Sequence, residues 1–158
     1  MADKVKVISA VNGRCGIDNN DLHISRRWPA RGSFVMFDKE QIEELMFDDA
    51  FKNMVESGML YIEDMEVKKA IGLEPEDAKE PTIKLLDDKE LNRLWKLVPT
   101  SQFKVELKKL TKHQCQELAQ YAMLHGEDGS IEKANILSDA SGYQVLKGIE
   151  LEKLAKEE

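Results

Sequence analysis

Residues 32–47 read GSFVMFDKEQIEELMF, and the pattern changes once inside them. GSFVMF is a short apolar run after a glycine, which predicts a strand ending at Phe37. From Asp38 onward Ile42, Leu45 and Met46 fall at helical spacing. Asp38 with Gln41 makes a capping box in which Asp takes the Ser/Thr place, and Phe37 can staple onto Ile42. A strand running straight into a capped helix predicts an α+β fold.

Working back from this stretch, KVKVISAV (4–11) alternates with period two and predicts a strand. NGRCGIDNND (12–21) is rich in turn formers and is expected to be a loop. LHIS (22–25) predicts another strand, and Trp28-Pro29-Ala30-Arg31-Gly32 a turn. The first 37 residues should therefore form one small antiparallel sheet.

Working forward, Asp48 or Asp49 can cap a second helix with Phe51, Met54 and Val55, ended by Gly58. MLYIED (59–64) returns to alternation and closes a first domain, 1–64, of a small antiparallel sheet with two helices. Residues 65–86 read as a short helix stopped by Gly72 and then the acidic linker EPEDAKEP (74–81). Residues 87–158 read as a helical bundle. Asp87 and Glu90 open it as a capping box, and Leu91, Leu94, Trp95 and Val98 share a face before Pro99. Thr100, Thr111 and Ser130 are the next cap candidates, and Glu127-Asp128-Gly129 is an expected turn. Ile131, Ala134, Ile136 and Leu137 mark one more helix. Val145, Leu146, Ile149, Leu151 and Leu154 mark a terminal one, broken at Gly148.

The apolar fraction is 42% and the charged fraction 34% over 158 residues, a balance that favours folded helices with solvated faces. No run of 18 apolar residues is present, so no membrane span is expected, and the charged N-terminus MADKVKVISA shows no secretion signal. Cys15 and Cys115 lack C-x-x-C partners and are expected to be free thiols of a reducing compartment. Charge is segregated. Residues 1–37 carry six Lys/Arg against three acids, residues 38–90 seven against seventeen, and residues 91–158 ten against ten. The overall charge of −7 argues against a general nucleic-acid binder.

The sequence carries no catalytic motif. His23, His113 and His125 are scattered, without a cysteine at ligand spacing, so no metal or other cofactor is expected. Asp18-Asn19-Asn20-Asp21 lacks the ligand spacing and closing glutamate of a calcium loop and reads as a hairpin turn. Phosphate-binding glycine loops and a nucleophile elbow are absent from the sequence. The acidic pairs Glu43-Glu44, Asp48-Asp49 and Asp87-Asp88 stand at helix starts or on polar faces, where capping accounts for them. Lys108, Lys109 and Lys112 form a small basic cluster beside a cap.

Four of the five arginines, Arg14, Arg26, Arg27 and Arg31, fall within 18 residues around Trp28. If Ile24 faces the core, period two turns Arg26 inward or to an edge and Arg27 outward. Three roles stay open: pairing with Glu40, Glu43 and Glu44 of the same chain, contact with another protein, or contact with nucleic acid. The partner-binding candidates are Arg26, Arg27, Trp28 and Arg31, since arginine and tryptophan are the enriched anchors of protein interfaces.

The order ISRRWPARGSFVMFDKEQIEELMF then FKNMVESGMLYIED resembles an N-terminal module of small virion-associated proteins of tailed bacteriophages, either capsid auxiliary or neck proteins. There a strand with two arginines and a proline runs into a turn, then an EEL helix, a glycine and a short strand. SQFKVELKKLTKHQCQELAQYAM and IEKANILSDASGYQVLKGI are similar to the helical half of the same proteins. Arg26, Arg27 and Pro29 stand where the module's strand and turn residues stand, though PARG replaces a plainer proline–glycine step. The resemblance implies a non-enzymatic structural component of the phage particle, capsid-associated or at the head–tail neck. Its partners would be other virion proteins, with self-association possible, and its location the virion after assembly in the bacterial cytoplasm. The alternatives are a phage nucleic-acid-binding accessory or regulatory protein, or an assembly chaperone absent from the mature particle.

Overall fold

The computed structural model describes residues 4–79, 81–126 and 130–157. The fold is α+β: small antiparallel sheets with helices come first, and a helical region follows. The chain divides into two compact units, Met1–Asp87 and Asp88–Glu158. The turn expected at Glu127-Asp128-Gly129 lies outside the described residues.

In the first unit, β1 (Lys4–Ser9) is the middle strand of a three-stranded sheet, between β4 (Phe34–Asp38) and β5 (Leu60–Ile62), antiparallel to both. Its alternation places Val5, Val7 and Ser9 inward. Lys4 lies opposite Asp38 and pairs with it at 2.7 Å. A separate antiparallel ribbon joins β2 (Cys15–Asn19) to β3 (Ile24–Trp28). The expectation of a single sheet, and of a loop over residues 12–21, is corrected here. CGIDN has one β-branched residue and a glycine, so its own propensity is poor, and the ladder to β3 makes it a strand. In the connection, Asn19 Oδ1 accepts from the Leu22 N–H at 3.0 Å, and His23 turns the chain with φ 55°.

The strand-to-helix step is as read. Asp38 caps α1 (Lys39–Leu45), and Gln41 Oε1 accepts the Asp38 N–H at 2.9 Å. Asp48 caps α2 (Asp49–Glu56), accepting from Ala50 N at 2.9 Å, and Asp64 caps α3 (Met65–Ala70). Val5, Val7, Ile24, Trp28, Phe37, Ile42, Leu45, Phe51, Val55, Leu60 and Ile62 share one core with Val67 of α3. The segment expected as a linker therefore belongs to the first unit. Ile71 and Leu73 pack on that core, Glu74 is buried, and Thr82 donates to it through its N–H and hydroxyl, both at 2.8 Å.

The second unit begins with α4 (Asp88–Asn92), which continues into one π-helical turn over Arg93–Leu97. Lys133 is buried and donates to the carbonyls of Leu94 and Trp95 at 3.3 and 2.9 Å, groups that the widened turn leaves open. α5 (Thr100–Lys108) follows Pro99, so Thr100 is the first helical residue rather than the cap. α6 (Lys112–Leu124) starts at a Thr111–Gln114 capping box and α7 (Ile131–Ser141) at Ser130. α8 (Val145–Glu157) runs unbroken through Gly148, contrary to the expected break. A Cβ there would sit 2.5 Å from Met123 Sδ, so this glycine lets α8 approach α6. Of the expected apolar faces, Ile131, Leu151 and Leu154 are exposed.

Candidate interaction surface

The arginine-rich stretch folds into the β2–β3 ribbon, and its register decides what each side chain can touch. Gly16 stands opposite Arg27, Ile17 opposite Arg26, and Asp18 opposite Ser25. One face of the ribbon, with Ile17, Ile24 and Trp28, is buried, and the other presents Gly16, Asp18, Ser25 and Arg27. The alternation inferred from Ile24 holds: Arg26 shares the inner face and Arg27 points out.

Arg27 lies across Gly16. A Cβ at Gly16 would come within 2.6 Å of Arg27 Cδ, so the absent side chain is what lets the arginine lie flat on the ribbon. Its Nη2 donates to both carboxylate oxygens of Asp18, at 3.0 and 2.8 Å, and its Nη1 to the carbonyls of Ile17 and Arg26, each at 3.0 Å. The Ser25 hydroxyl also donates to Asp18, at 2.7 Å. First this hydroxyl and then Arg27 hold the Asp18 carboxyl below the usual carboxylate range. The Arg27 partner is thus Asp18, on the neighbouring strand, and not Glu40, Glu43 or Glu44. With 61% of its side chain exposed and its donors turned to the ribbon, Arg27 offers solvent a fixed guanidinium plane.

Arg26 is half-buried, its guanidinium 5.9 Å from the centre of the Phe37 ring and its Nη1 on the Ser25 carbonyl at 3.2 Å. Arg31, also half-buried, donates from Nε to the Ala10 carbonyl at 3.3 Å. Trp28 departs from its expected role. It is fully buried, donates from Nε1 to the Val7 carbonyl at 3.0 Å, and tilts against Phe37 with ring centres 6.1 Å apart. Trp28 is therefore a core residue that ties the ribbon to β1. Arg14, Cys15, Gly16, Arg27, Trp28 and Pro29 surround a shallow hollow of about 580 Å³. Burial pushes the Cys15 thiol up, partly countered by the Ser9 hydroxyl 3.6 Å away.

The sequence reading missed Phe47. It lies between α1 and α2 and is 91% exposed, whereas its neighbours Leu45 and Phe51 are fully buried. The apolar run Leu45-Met46-Phe47 gave no sign that its third member points out.

Both cysteines are free. Among the described residues no three His, Cys, Asp or Glu side chains gather as metal ligands, and no helix is long and apolar enough to cross a membrane. Comparison with known proteins returned no matching family model, no matching curated protein and no matching solved structure.

Proposed function

We propose that the chain is a non-enzymatic structural component of a tailed-phage particle, capsid-associated or at the head–tail neck. In this reading it binds other virion proteins and resides in the virion after assembly in the host cytoplasm. The family resemblance of the sequence supplies the class. The observation that carries the contact is the guanidinium plane of Arg27, fixed on the outer face of the ribbon beside Arg14. A pre-oriented arginine loses little side-chain freedom on binding, which suits a protein–protein anchor. Because Asp18 already neutralises it, the same group is a poor phosphate ligand, which weighs against the nucleic-acid alternative. Arg26 and Arg31 support the ribbon and its turn from half-buried positions, and Trp28 anchors it from within.

Mass spectrometry of purified particles tests the class directly, and absence of the chain from mature virions would overturn it. Arg27→Ala tests the surface. The Arg27–Asp18 pair is exposed and screened by solvent, so the melting temperature should barely move, whereas an anchor arginine costs about 2 kcal/mol of binding when truncated. Incorporation of the variant should fall. Normal incorporation, or DNA binding by the wild type that weakens steeply with salt, would count against the proposal.

A further inference from the structure

Two surfaces of this chain complement each other, and they lie on different units. The first is Phe47, exposed at the α1–α2 corner, in a stretch where residues 40–51 contain Glu40, Glu43, Glu44, Asp48 and Asp49 and no cation. The hollow beside it, formed with Asn19, Asp21, Leu22, Glu44 and Asp48, adds another carboxylate and again no cation. The second is a groove of about 450 Å³ among α5, α6 and α7. Leu107, Leu110, Ile136 and Ala140 give it an apolar floor, and Lys104, Lys108 and Lys112 rim it against the single carboxylate of Asp139. Lys104 and Lys108 are one helical turn apart on α5, so both stand on the same side.

We propose that Phe47 of one copy inserts into the lysine-rimmed groove of a second copy. An exposed aromatic with an acidic collar meets an apolar hole with a basic collar, so both burial and charge favour the same seating. The groove's volume is of the size that accepts an aromatic group. Knob and hole are different patches, so the contact is heterologous: each copy keeps a free knob and a free hole after pairing, and association continues into a ring or a filament. The proposal deepens the assembly reading and rests on it for its role in a particle, while the contact itself is tested on purified protein.

The test is sedimentation velocity of the full chain over a wide concentration range. The wild type should grow past the dimer as concentration rises, and less so in high salt. Phe47→Ser and, separately, Lys104→Glu with Lys108→Glu should each weaken association about 30-fold or more, the weakening expected for loss of an interface anchor. All three residues are exposed, so both variants should melt like the wild type. Mixed together, they should form a 1:1 pair that stops there, because the first retains the groove and the second the knob. A wild type that stays monomeric at every concentration, variants that associate like the wild type, or folded variants that do not pair on mixing would each overturn the proposal. Absence of the chain from particles would instead remove the virion reading and leave this contact standing.

Discussion

Replacing Trp28 separates a core residue from an interface anchor. Its indole is fully buried, packs on Phe37 and donates to the Val7 carbonyl on the central strand of the sheet. Trp28→Phe keeps most of the ring but deletes that donor. A lost hydrogen bond costs about 0.5–1.5 kcal/mol net, more where the carbonyl is left unpaired in the interior. Adding the smaller ring volume brings the expected loss to about 1.5–3 kcal/mol. In a unit of this size each 1 kcal/mol moves the midpoint by about 4–8 °C, so melting should fall by at least about 6 °C. Trp28→Ala, at about 3–5 kcal/mol, removes much of the stability a small unit has and should leave it largely unfolded. Far-UV circular dichroism during heating follows both variants. A Trp28→Phe protein that melts within about 2 °C of the wild type would refute the core assignment, since the magnitudes above leave no room for it.

Two further outcomes follow from side-chain geometry. At Gly126 a Cβ would crowd Ile149, with Cγ1 at 2.8 Å and Cβ at 3.0 Å, and a β-branched side chain has little freedom to yield. At Gly148 the obstruction is the flexible thioether of Met123. Gly126→Ala should therefore cost about 1–3 kcal/mol, while Gly148→Ala should fall within about 1 kcal/mol of the wild type because helix propensity offsets repacking. Urea midpoints check the ranking, and the reverse order would show the α6–α8 contact misassigned. The depressed Asp18 carboxyl adds a pH dependence. Its folded pKa lies below its unfolded one, so the stability it contributes is present above the ordinary carboxylate pKa and is lost as pH falls through the folded value. The pair is exposed, so the effect is small: any stability difference between the wild type and Asp18→Asn should shrink as pH falls below the ordinary carboxylate range, and a difference that does not change with pH would contradict the assigned ionisation.

Much of the fold was legible because it is written in local chemistry. The Asp38–Gln41 box, the Asp48, Thr111 and Ser130 caps, and the alternation of β1 depend on neighbours a few positions away. β2 was not legible, because CGIDN becomes a strand through a partner and not through its own residues. Gly148 was misread for a similar reason: glycine signals a break in sequence, but here its lack of a side chain serves the packing of α8 on Met123. Trp28 is a different case. The alternation from Ile24 already placed it on the inner face, and interface composition outweighed that phase in the reading. Arg27 was read outward for the same periodic reason, and its tie to Asp18 was hidden because nothing in the sequence announced the second strand of the ribbon.

That tie bears on how the rest of the charge is used. Glu40, Glu43 and Glu44 of α1 were the expected partners of the arginine cluster, but the short ribbon supplies Asp18 instead, directly across the ladder from Ser25 and two residue pairs from Arg27. Arg27 therefore leaves Glu40, Glu43 and Glu44 to other cations. Lys4 pairs with Asp38 at the head of α1, and between Lys39 and Lys52 the sequence holds five carboxylates and no cation. The corner that carries Phe47 thus keeps its negative field. On the second unit Arg93 is engaged by Glu90 and by Glu106, at 2.6 and 3.6 Å, which takes the acidic residue of α5 away from its lysines. Lys104 and Lys108 keep a positive field over an apolar floor. These ion pairs each lie within one unit, and they leave an acidic stretch beside the exposed Phe47 and a lysine rim over the apolar floor of the groove. Opposite fields of this kind raise the rate at which two copies meet in the right orientation, and apolar burial then holds them. If the faces had been neutralised within their own units, the exposed phenylalanine would be a source of unselective sticking; with them unbalanced, the lysine-rimmed groove of a second copy is the surface it selects.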